Sequence, residues 1–232
     1  MSILELKGVS KSFGALVVAE DIGFSAKEGE ALGVIGPNGA GKSTLFNLIN
    51  GNLPVASGSI VFDGKDVTTV PPMQRCLAGM GRTFQIPVYE NLLVAGAFGS
   101  RASEGDVAAF CADILVETGL IGKANALAAS LTLLERKRLE LARALATKPK
   151  LLLLDEIAGG LTEGECQQLV ATIKRVHGRG VTIIWIEHVL HALTAVAERL
   201  LVLNFGRVIG IGEPDAIMAS REVREIYLGM EV

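Results

Sequence analysis

The stretch GPNGAGKST, residues 36–44, has the residue types of a loop that wraps a phosphate group. It matches the pattern G-x-x-x-x-G-K-[ST], with an apolar strand before it and a helical sequence after it. Glycines let backbone N–H groups approach a phosphate, and the helix start adds the positive end of a dipole. We expect Lys42 to reach the β- and γ-phosphates of a nucleotide and the Ser43 hydroxyl to bind Mg²⁺. The candidate binding residues are Gly36, Pro37, Asn38, Gly39, Ala40, Gly41, Lys42, Ser43 and Thr44.

The run LLLLDE, residues 151–156, ends an apolar strand with two carboxylates. We expect Asp155 to hold Mg²⁺ through water, and Glu156 to orient and polarise the water that attacks a phosphate. Alone, an Asp-Glu pair after a strand is usually the start of a solvated loop, and a glycine turn can simply open a helix. Together in one chain, the two motifs favour a nucleotide site with hydrolytic chemistry.

Short apolar runs bounded by turns predict the strands that position these motifs. Their length and continuity are typical of strands buried on both faces, as in a sheet that is covered by helices. Helical patterns follow several of them, which indicates α/β architecture. Glycine turns inside VFDGKDV and VLNFGRVIGIG predict hairpins, and hence an antiparallel portion. The runs are ALGVIG, SIVFDG, LLLLDE, VTIIWIE and RLLVLNFG.

The bulk composition narrows the class of protein. The chain has 232 residues, with 22 basic and 25 acidic side chains and a net charge of −3, which argues against broad nucleic-acid binding by charge. No run approaches the ~18–20 apolar residues that span a bilayer, and charges interrupt the start MSILELKGVSKSF, so we expect a cytosolic chain. The three cysteines lack the spacing of a metal site and are expected to be buried free thiols.

The phosphate loop, the strand ending in Asp-Glu, and their order along the chain resemble those of an ATP-binding-cassette (ABC) ATPase. Three further positions match motifs of that family: Phe13 in KSFGAL, Gln85 in RTFQIP and His188 in WIEHVLHAL. The resemblance implies that Phe13 stacks on adenine and that His188 contacts the γ-phosphate. It also implies that Gln85 joins two lobes and touches both Mg²⁺ and the attacking water. Each of these positions, taken alone, is also compatible with an ordinary structural role.

The resemblance covers nearly the whole chain and implies a single ABC ATPase domain over residues 1–232. The fold class is then α/β: a P-loop NTPase (RecA-like) core with an antiparallel β portion and an inserted α-helical lobe. Residues 1–86 and 148–232 are expected to form the RecA-like and antiparallel lobe. Residues 87–147, where the composition shifts to Ala, Leu and Gly, are expected to form the helical lobe.

Within the family, the segments GMGRTFQIPVYENLLVAG and REVREIYLG are most similar to ATPase subunits of bacterial importers for branched-chain and similar amino acids. This resemblance implies ATP and Mg²⁺ as ligands, and ATP hydrolysis that opens and closes an ATPase dimer. The implied partners are a second ABC ATPase subunit, two membrane permease subunits and, indirectly, a periplasmic binding protein, with no nucleic acid. The chain is then expected on the inner face of the cell membrane, with Ile86–Ala97 transmitting motion to the permeases.

The main departure from the family lies at residues 131–135. The family signature, typically Leu-Ser-Gly-Gly-Gln, caps the γ-phosphate bound by the opposite subunit, but this chain has Leu-Thr-Leu-Leu-Glu there. Thr132 and Glu135 fit a capping box that opens a helix. A carboxylate about 4 Å from a phosphate charge costs roughly 4 kcal/mol at an effective dielectric near 20, so Glu135 needs another partner. Either Thr132 replaces the usual serine in a working phosphate contact, or the signature has decayed and the helix remains for packing.

A second departure follows the acidic pair, where Ile157 replaces the usual proline and AGGLT replaces the usual cross-subunit loop. Thr162 and Glu165 fit another capping box, which predicts a helix starting near Glu163. The glycines either ease contact with a partner subunit or form a flexible loop. Related importers use two different ATPases, so a heterodimer is expected, in which this chain completes one ordinary and one unusual site.

Two other functions remain open at this point. A regulatory ABC protein with a degenerate signature would bind nucleotide without turnover, although intact Glu156 and His188 argue against it. An ABC ATPase of DNA repair or translation would usually carry tandem cassettes or long coiled-coil insertions. A GTPase is disfavoured because no N-K-x-D motif is present.

Overall fold

The computed structural model describes residues 2–14, 16–37, 39–82, 91–99, 104–221 and 223. The strands are β1 (Ser2–Phe13), β2 (Leu16–Lys27), β3 (Ala31–Ile35), β4 (Ser57–Phe62), β5 (Lys65–Asp66), β6 (Met80–Arg82), β7 (Leu151–Asp155), β8 (Thr182–Ile186), β9 (Arg199–Asn204) and β10 (Arg207–Gly212). The α-helices are α1 (Lys42–Ile49), α2 (Pro72–Leu77), α3 (Asn91–Gly99), α4 (Glu104–Glu117), α5 (Leu133–Ala146), α6 (Glu163–His177), α7 (Leu190–Thr194) and α8 (Pro214–Ala219). Short 3₁₀ helices cover Ile121–Lys123 and Ala128–Ser130.

A six-stranded sheet in the order β10-β9-β3-β8-β7-β6 forms the centre of the fold. Its strands pair in parallel except for β10, which is antiparallel to β9. The carboxyl ends of β3, β8 and β7 therefore leave the sheet at the same edge. Since β8 separates β3 from β7, the loops after those two strands begin about 10 Å apart, which is two strand spacings.

A second, four-stranded sheet is antiparallel, in the order β2-β1-β4-β5. It contains SIVFDG, so the prediction that this run is a strand was right, but the prediction that it is buried on both faces was wrong. In β4, Ile60 and Phe62 are buried while Ser59 and Val61 are only half-buried, which is the alternation of a strand with one covered face. The two long strands β1 and β2 were not predicted, because polar residues interrupt their apolar positions.

The two faces of the six-stranded sheet bury two separate hydrophobic cores. Strand β7 shows the division: Leu152 and Leu154 pack with α5 and α6, whereas Leu151 and Leu153 pack with α1 and the antiparallel sheet. All four leucines are fully buried. A continuous apolar run is therefore required at β7, because alternate side chains serve different cores.

The predicted α/β fold class with an antiparallel portion is confirmed, as are both predicted hairpins, β4–β5 and β9–β10. The second hairpin adds to the edge of the parallel sheet rather than to the antiparallel one. Helices α3, α4 and α5 lie between β6 and β7 in the chain, and the division into lobes at residues 87 and 147 stays a prediction. None of the helices in the described part of the chain is long and apolar enough to cross a membrane.

A buried arginine anchors the helix that follows the phosphate loop. Arg75 is only 2% exposed and donates to the carbonyl oxygens of Leu48 and Ile49, at 2.9 and 2.6 Å, at the end of α1. It also donates to the carbonyl oxygens of Val70 and Thr68 at 2.8 and 3.1 Å. Burial lowers the pKa of the Arg75 guanidinium, and Asp66 partly opposes this effect. Arg75 thus supplies a charged donor to carbonyls at the end of the helix.

Replacing Arg75 with alanine is expected to lower the free energy of unfolding by about 3 kcal/mol, because several buried carbonyls lose a charged donor. Urea denaturation followed by circular dichroism measures this. The control is Lys150→Ala, which breaks an exposed ion pair with Asp63 and should leave the unfolding midpoint nearly unchanged. Equal midpoints for both variants would contradict the anchoring role.

Candidate active site

The phosphate loop folds as its glycines predict. Gly39 and Gly41 have φ of 81° and 96°, values that residues with a side chain rarely adopt. Gly41 is the N-cap of α1, and a Cβ atom there would lie 2.7 Å from the carbonyl oxygen of Val18. The loop therefore needs glycine at residue 41 for two reasons, the backbone angle and the close approach of β2.

Lys42 is the first residue of α1, is only 6% exposed, and bonds through its side chain to the phosphate loop. Its Nζ donates to the carbonyl oxygens of Gly36 and Pro37, at 2.8 and 3.0 Å. Burial lowers the pKa of Lys42, while the nearby carboxylates of Glu156 and Asp155 act in the opposite direction. Both carboxylates are therefore close enough to this ammonium group to act on its charge.

A cavity of about 210 Å³ lies over the loop. Its polar wall combines the start of α1 with one carboxylate from the acidic pair and one residue of β2. The lining residues are Val18, Gly39, Ala40, Gly41, Lys42, Ser43, Thr44 and Glu156. Backbone N–H groups at a helix start, an ammonium group and a hydroxyl form a donor set that suits a polyphosphate.

Two of the four predicted catalytic residues, Glu156 and His188, contact each other, and Glu156 lines this cavity. His188 Nε2 lies 3.1 Å from Glu156 Oε1, and both side chains are a little over one-third exposed. A carboxylate accepts hydrogen bonds, so the form of the imidazole that bonds to it is one with a proton on Nε2. Glu156 keeps a second carboxylate oxygen with which it can accept a proton from water.

Glu156 is held in an unusual backbone conformation. Its φ is 48°, in the left-handed region that costs a residue with a side chain roughly 1–3 kcal/mol. Its N–H donates to the carbonyl oxygen of Ile186 at 2.9 Å, and Lys137 Nζ donates to its carbonyl oxygen at 3.2 Å. Strand β8 and helix α5 thus both hold the backbone of Glu156, whose side chain lines the cavity.

Asp155 is paired with an arginine that was not among the predicted site residues. Arg82 Nη2 lies 3.1 Å from Asp155 Oδ2, and Arg82 Nη1 donates to Asn47 Oδ1 at 2.6 Å. Asn47 follows Ser43 by one helical turn, so both lie on the same face of α1. Asp155 therefore faces the side of α1 that carries Ser43. A carboxylate and a hydroxyl are hard oxygen ligands, so this pair fits Mg²⁺.

Three of the predicted contacts are not settled by this geometry. Asn38 and Gln85 lie outside the described residues. Phe13 ends β1 and is 50% exposed, with Lys11 Nζ 5.4 Å from its ring centre. Among the described residues, the cavity wall includes Val18 of β2 rather than Phe13. The adenine contact of Phe13 therefore stays a prediction.

The unusual stretch at residues 131–135 opens α5 with the predicted capping box. Thr132 Oγ1 accepts from the N–H of Glu135 at 3.3 Å, and Glu135 Oε2 accepts from the N–H of Thr132 at 2.8 Å. The latter bond is the main reason why the pKa of Glu135 is lowered, with Lys123 adding a smaller effect. Leu134 is buried in the core beside α5, and Leu133 approaches Gly160. The leucines are thus accommodated by helical backbone and packing.

The second predicted helix start is also present. Thr162 caps α6, which begins at Glu163, and Thr162 and Glu165 form a reciprocal capping box. Cys111 and Cys166 are buried free thiols as expected, whereas Cys76 is only half-buried.

A larger cavity of about 280 Å³ is lined by Arg82, Glu140 and Ala95 among others, but by no described residue of the phosphate loop. The donor set that suits a polyphosphate thus belongs to the smaller cavity.

Comparison with known proteins supports the same family. Residues 19–159 match the model of the ABC transporter family. The high-affinity branched-chain amino acid transport ATP-binding protein BraF of Pseudomonas aeruginosa is 33% identical, over 98% of this chain and 98% of BraF.

The chain belongs to the ABC transporter family.

Other members of the family are similar over equally long stretches. The lipopolysaccharide export system ATP-binding protein LptB of Haemophilus influenzae is 30% identical, over 99% of this chain and 98% of LptB. The crystal structure of the ADP conformation of MJ1267, an ATP-binding cassette of an ABC transporter, has a TM-score of 0.90. It is 28% identical and covers 99% of this chain and 100% of MJ1267. This protein is therefore an ATPase subunit of a transporter, and it hydrolyses ATP.

Four residues at the candidate site were not among the predicted ones: Val18, Arg82, Lys137 and the buried Glu187, whose Oε2 accepts from the N–H of Ala158. Arg82 stands three residues before Gln85 in GRTFQ, and Glu187 directly precedes His188. Their positions beside predicted site residues were the available signal. Val18 and Lys137 carry no comparable local signal, since only the packing of β2 and α5 brings them to the site.

Replacing Gly41 with alanine is expected to weaken ATP binding about tenfold or more. A positive φ costs alanine roughly 1–2 kcal/mol, and its Cβ would displace β2 from the loop. Isothermal titration calorimetry measures the dissociation constant. The matched control is Gly29→Ala, because Gly29 also has a positive φ, of 77°, but nothing lies within 4 Å of its Cβ position. Gly29→Ala should keep the affinity of the native chain, and equal losses in both variants would contradict the steric argument.

Proposed function

We propose that this chain is the ATP-hydrolysing subunit of an importer for branched-chain or related amino acids, bound to the inner face of the cell membrane. Support comes from the likeness to BraF over nearly the full length of both chains. The likeness to LptB, which belongs to an export system, is only slightly weaker. The segments GMGRTFQIPVYENLLVAG and REVREIYLG favour the amino-acid importer.

The contact between Glu156 and His188 carries the catalytic part of the proposal. Glu156 accepts a proton from the attacking water, and His188 holds the Glu156 carboxylate in place and contacts the γ-phosphate. Lys42 exchanges its bonds to the loop carbonyls for bonds to phosphate oxygens, whose developing charge it stabilises. Gln85 orients the same water. These roles make Glu156, His188, Gln85 and Lys42 the catalytic set.

Ser43, Asp155 and Gln85 are the proposed residues that hold Mg²⁺. Support comes from Arg82, which bonds both to Asp155 and to Asn47, and Asn47 follows Ser43 by one helical turn in α1. The ion would supply positive charge that offsets the charge of the phosphates. Phe13 is proposed to stack on the adenine, and residues 36–44 to wrap the phosphates.

The proposed assembly is a dimer of ABC ATPases, with a different ATPase as the second subunit, on two permease subunits. Thr132, at the exposed start of α5, would then contact the phosphate bound by the partner ATPase. The permeases would meet the segment Ile86–Ala97 on the helical lobe of residues 87–147. Within this segment, Ala95 of α3 lines the cavity of about 280 Å³ described above, so part of the segment borders that cavity.

Transport by the whole complex tests the proposed function. The transporter is purified through a tag on this chain, reconstituted into liposomes with its binding protein, and supplied with ATP and Mg²⁺. We expect ATP-dependent uptake of leucine, isoleucine or valine. Glu156→Gln should retain ATP binding and reduce uptake and hydrolysis about 100-fold, because it loses the proton acceptor. Outward movement of the substrate, or no amino-acid dependence, would contradict the importer assignment without contradicting ATP hydrolysis.

The capping threonine gives a separate prediction. Thr132→Ala is expected to lower the free energy of unfolding by about 1 kcal/mol through loss of the cap. It should also lower ATP turnover by the assembled transporter, because the partner's phosphate loses a hydroxyl donor. Thr132→Ser keeps the hydroxyl and should restore both properties.

The matched control for Thr132→Ala is Thr162→Ala, which removes the same kind of cap from α6. It is expected to lose similar stability and to keep most of the turnover. Turnover of Thr132→Ala at the native rate would show that the signature has decayed and that the helix remains only for packing.

A further inference from the structure

Glu187 is a buried acidic residue between two elements of the proposed catalytic site. It follows β8 and directly precedes His188, and it is only 1% exposed. It does not line the cavity over the phosphate loop. A carboxylate this deeply buried is costly unless its oxygens receive hydrogen bonds, so its partners indicate its role.

Both carboxylate oxygens of Glu187 accept from backbone N–H groups, and these groups belong to different loops. Oε2 accepts from the N–H of Ala158 at 2.9 Å, in the loop that follows Glu156. Oε1 accepts from the N–H of His188 at 2.9 Å and from that of Val189 at 3.4 Å. One side chain thus connects the loop after β7 with the loop after β8.

These two loops carry the pair on which the proposed hydrolysis depends. Glu156 and His188 contact each other at 3.1 Å across the gap between the loops. One backbone bond also joins the two segments: the N–H of Glu156 donates to the carbonyl oxygen of Ile186, the last residue of β8. The contact between the two exposed side chains is open to water, whereas the bonds of Glu187 are buried. Glu187 therefore adds a buried side-chain connection between the loops to this backbone bond.

We propose that Glu187 is a positioning residue that sets the distance between Glu156 and His188 by accepting hydrogen bonds from the backbone of both loops. This inference rests on the proposed roles of Glu156 and His188. Glu187 touches neither of their reacting atoms, so its effect passes through the backbone of residues 158, 188 and 189. A carboxylate is required because an ionised carboxylate only accepts, and every partner here is a donor.

Glu187→Gln is the informative substitution, since it keeps the size of the side chain and removes one acceptor. The amide NH₂ group of glutamine would face the N–H of either Ala158 or His188, so one loop would lose its bond. Misplacement of a reacting group by about 1 Å lowers rates by up to about 100-fold. We expect single-turnover hydrolysis by the purified transporter to fall about tenfold or more, with ATP affinity within about twofold of the native value.

A second measurement reports on position directly. The chain has three histidines, so the imidazole NMR signals of His188, His177 and His191 are readily assigned with single substitutions. Glu187→Gln should shift the signal of His188 and leave that of His177 unchanged. An unshifted His188 signal in a folded variant, or hydrolysis within about twofold of the native rate, would overturn the inference.

The matched control is Glu30→Gln, which changes a second buried glutamate, directly before the amino end of β3. Glu30 is 5% exposed, accepts from the N–H of Lys27 at 2.7 Å and pairs with Arg199 at 3.2 Å. The adjacent Gly29 carbonyl oxygen lies 2.7 Å from His177 Nε2. Glu30→Gln should therefore shift the His177 signal, leave His188 unshifted, and keep hydrolysis within about twofold of native. Equal loss of hydrolysis in both variants would show a general effect of buried glutamates and overturn the inference.

Amide exchange and the Glu156→Gln variant test the inference further. If Glu187→Gln does not fold, amide exchange in the native chain remains: protection of the Ala158 N–H supports the bridge, and exchange at the rate of an open loop overturns it. Glu156→Gln separates the inference from the proposed function. Loss of hydrolysis in Glu156→Gln but not in Glu187→Gln contradicts only the positioning role, whereas full hydrolysis in Glu156→Gln contradicts the proposed catalytic role itself.

Discussion

The parallel pairing of β3, β8 and β7 is the constraint on which the site depends. Parallel strands point their carboxyl ends to one edge, so three loops from distant parts of the chain meet there. They bring the phosphate loop, His188 and the acidic pair together. The strand spacing sets the scale of the gap, since two spacings of about 4.8 Å separate the phosphate loop from Asp155. Side chains then adjust a geometry that the sheet has already established.

The start of α5 shows how the same helix end is built without the usual glycines. Leucine adopts helical backbone angles without strain, and here Leu134 gains burial in the core. Glu135 bonds to the backbone of Thr132, so its charge is used within the helix instead of facing a phosphate. The departure from the family pattern is therefore physically consistent with an ordered helix.

Much of the site could be predicted because its motifs are local in sequence. The phosphate loop, the Asp-Glu pair and both capping boxes each occupy a few consecutive residues with a distinctive pattern. Strands β3, β7 and β8 were equally clear, since burial on both faces makes them continuously apolar. By contrast, β1 and β2 pair as an antiparallel sheet with one covered face, and their mixed composition hides them. Arg82 and Glu187 stand beside predicted site residues, but the contacts that reveal their roles, with Asp155 and Ala158, join residues far apart in the sequence.

The bond from Lys137 to the carbonyl oxygen of Glu156 has a mechanical consequence. Lys137 lies one turn into α5, the helix whose first residues would face a neighbouring subunit's nucleotide. A tilt of that helix would pull on a backbone that already sits at φ 48°, where small rotations change the direction of the carboxylate. In the proposed dimer, a movement of α5 at one nucleotide would then reach Glu156 at the other through the bond from Lys137.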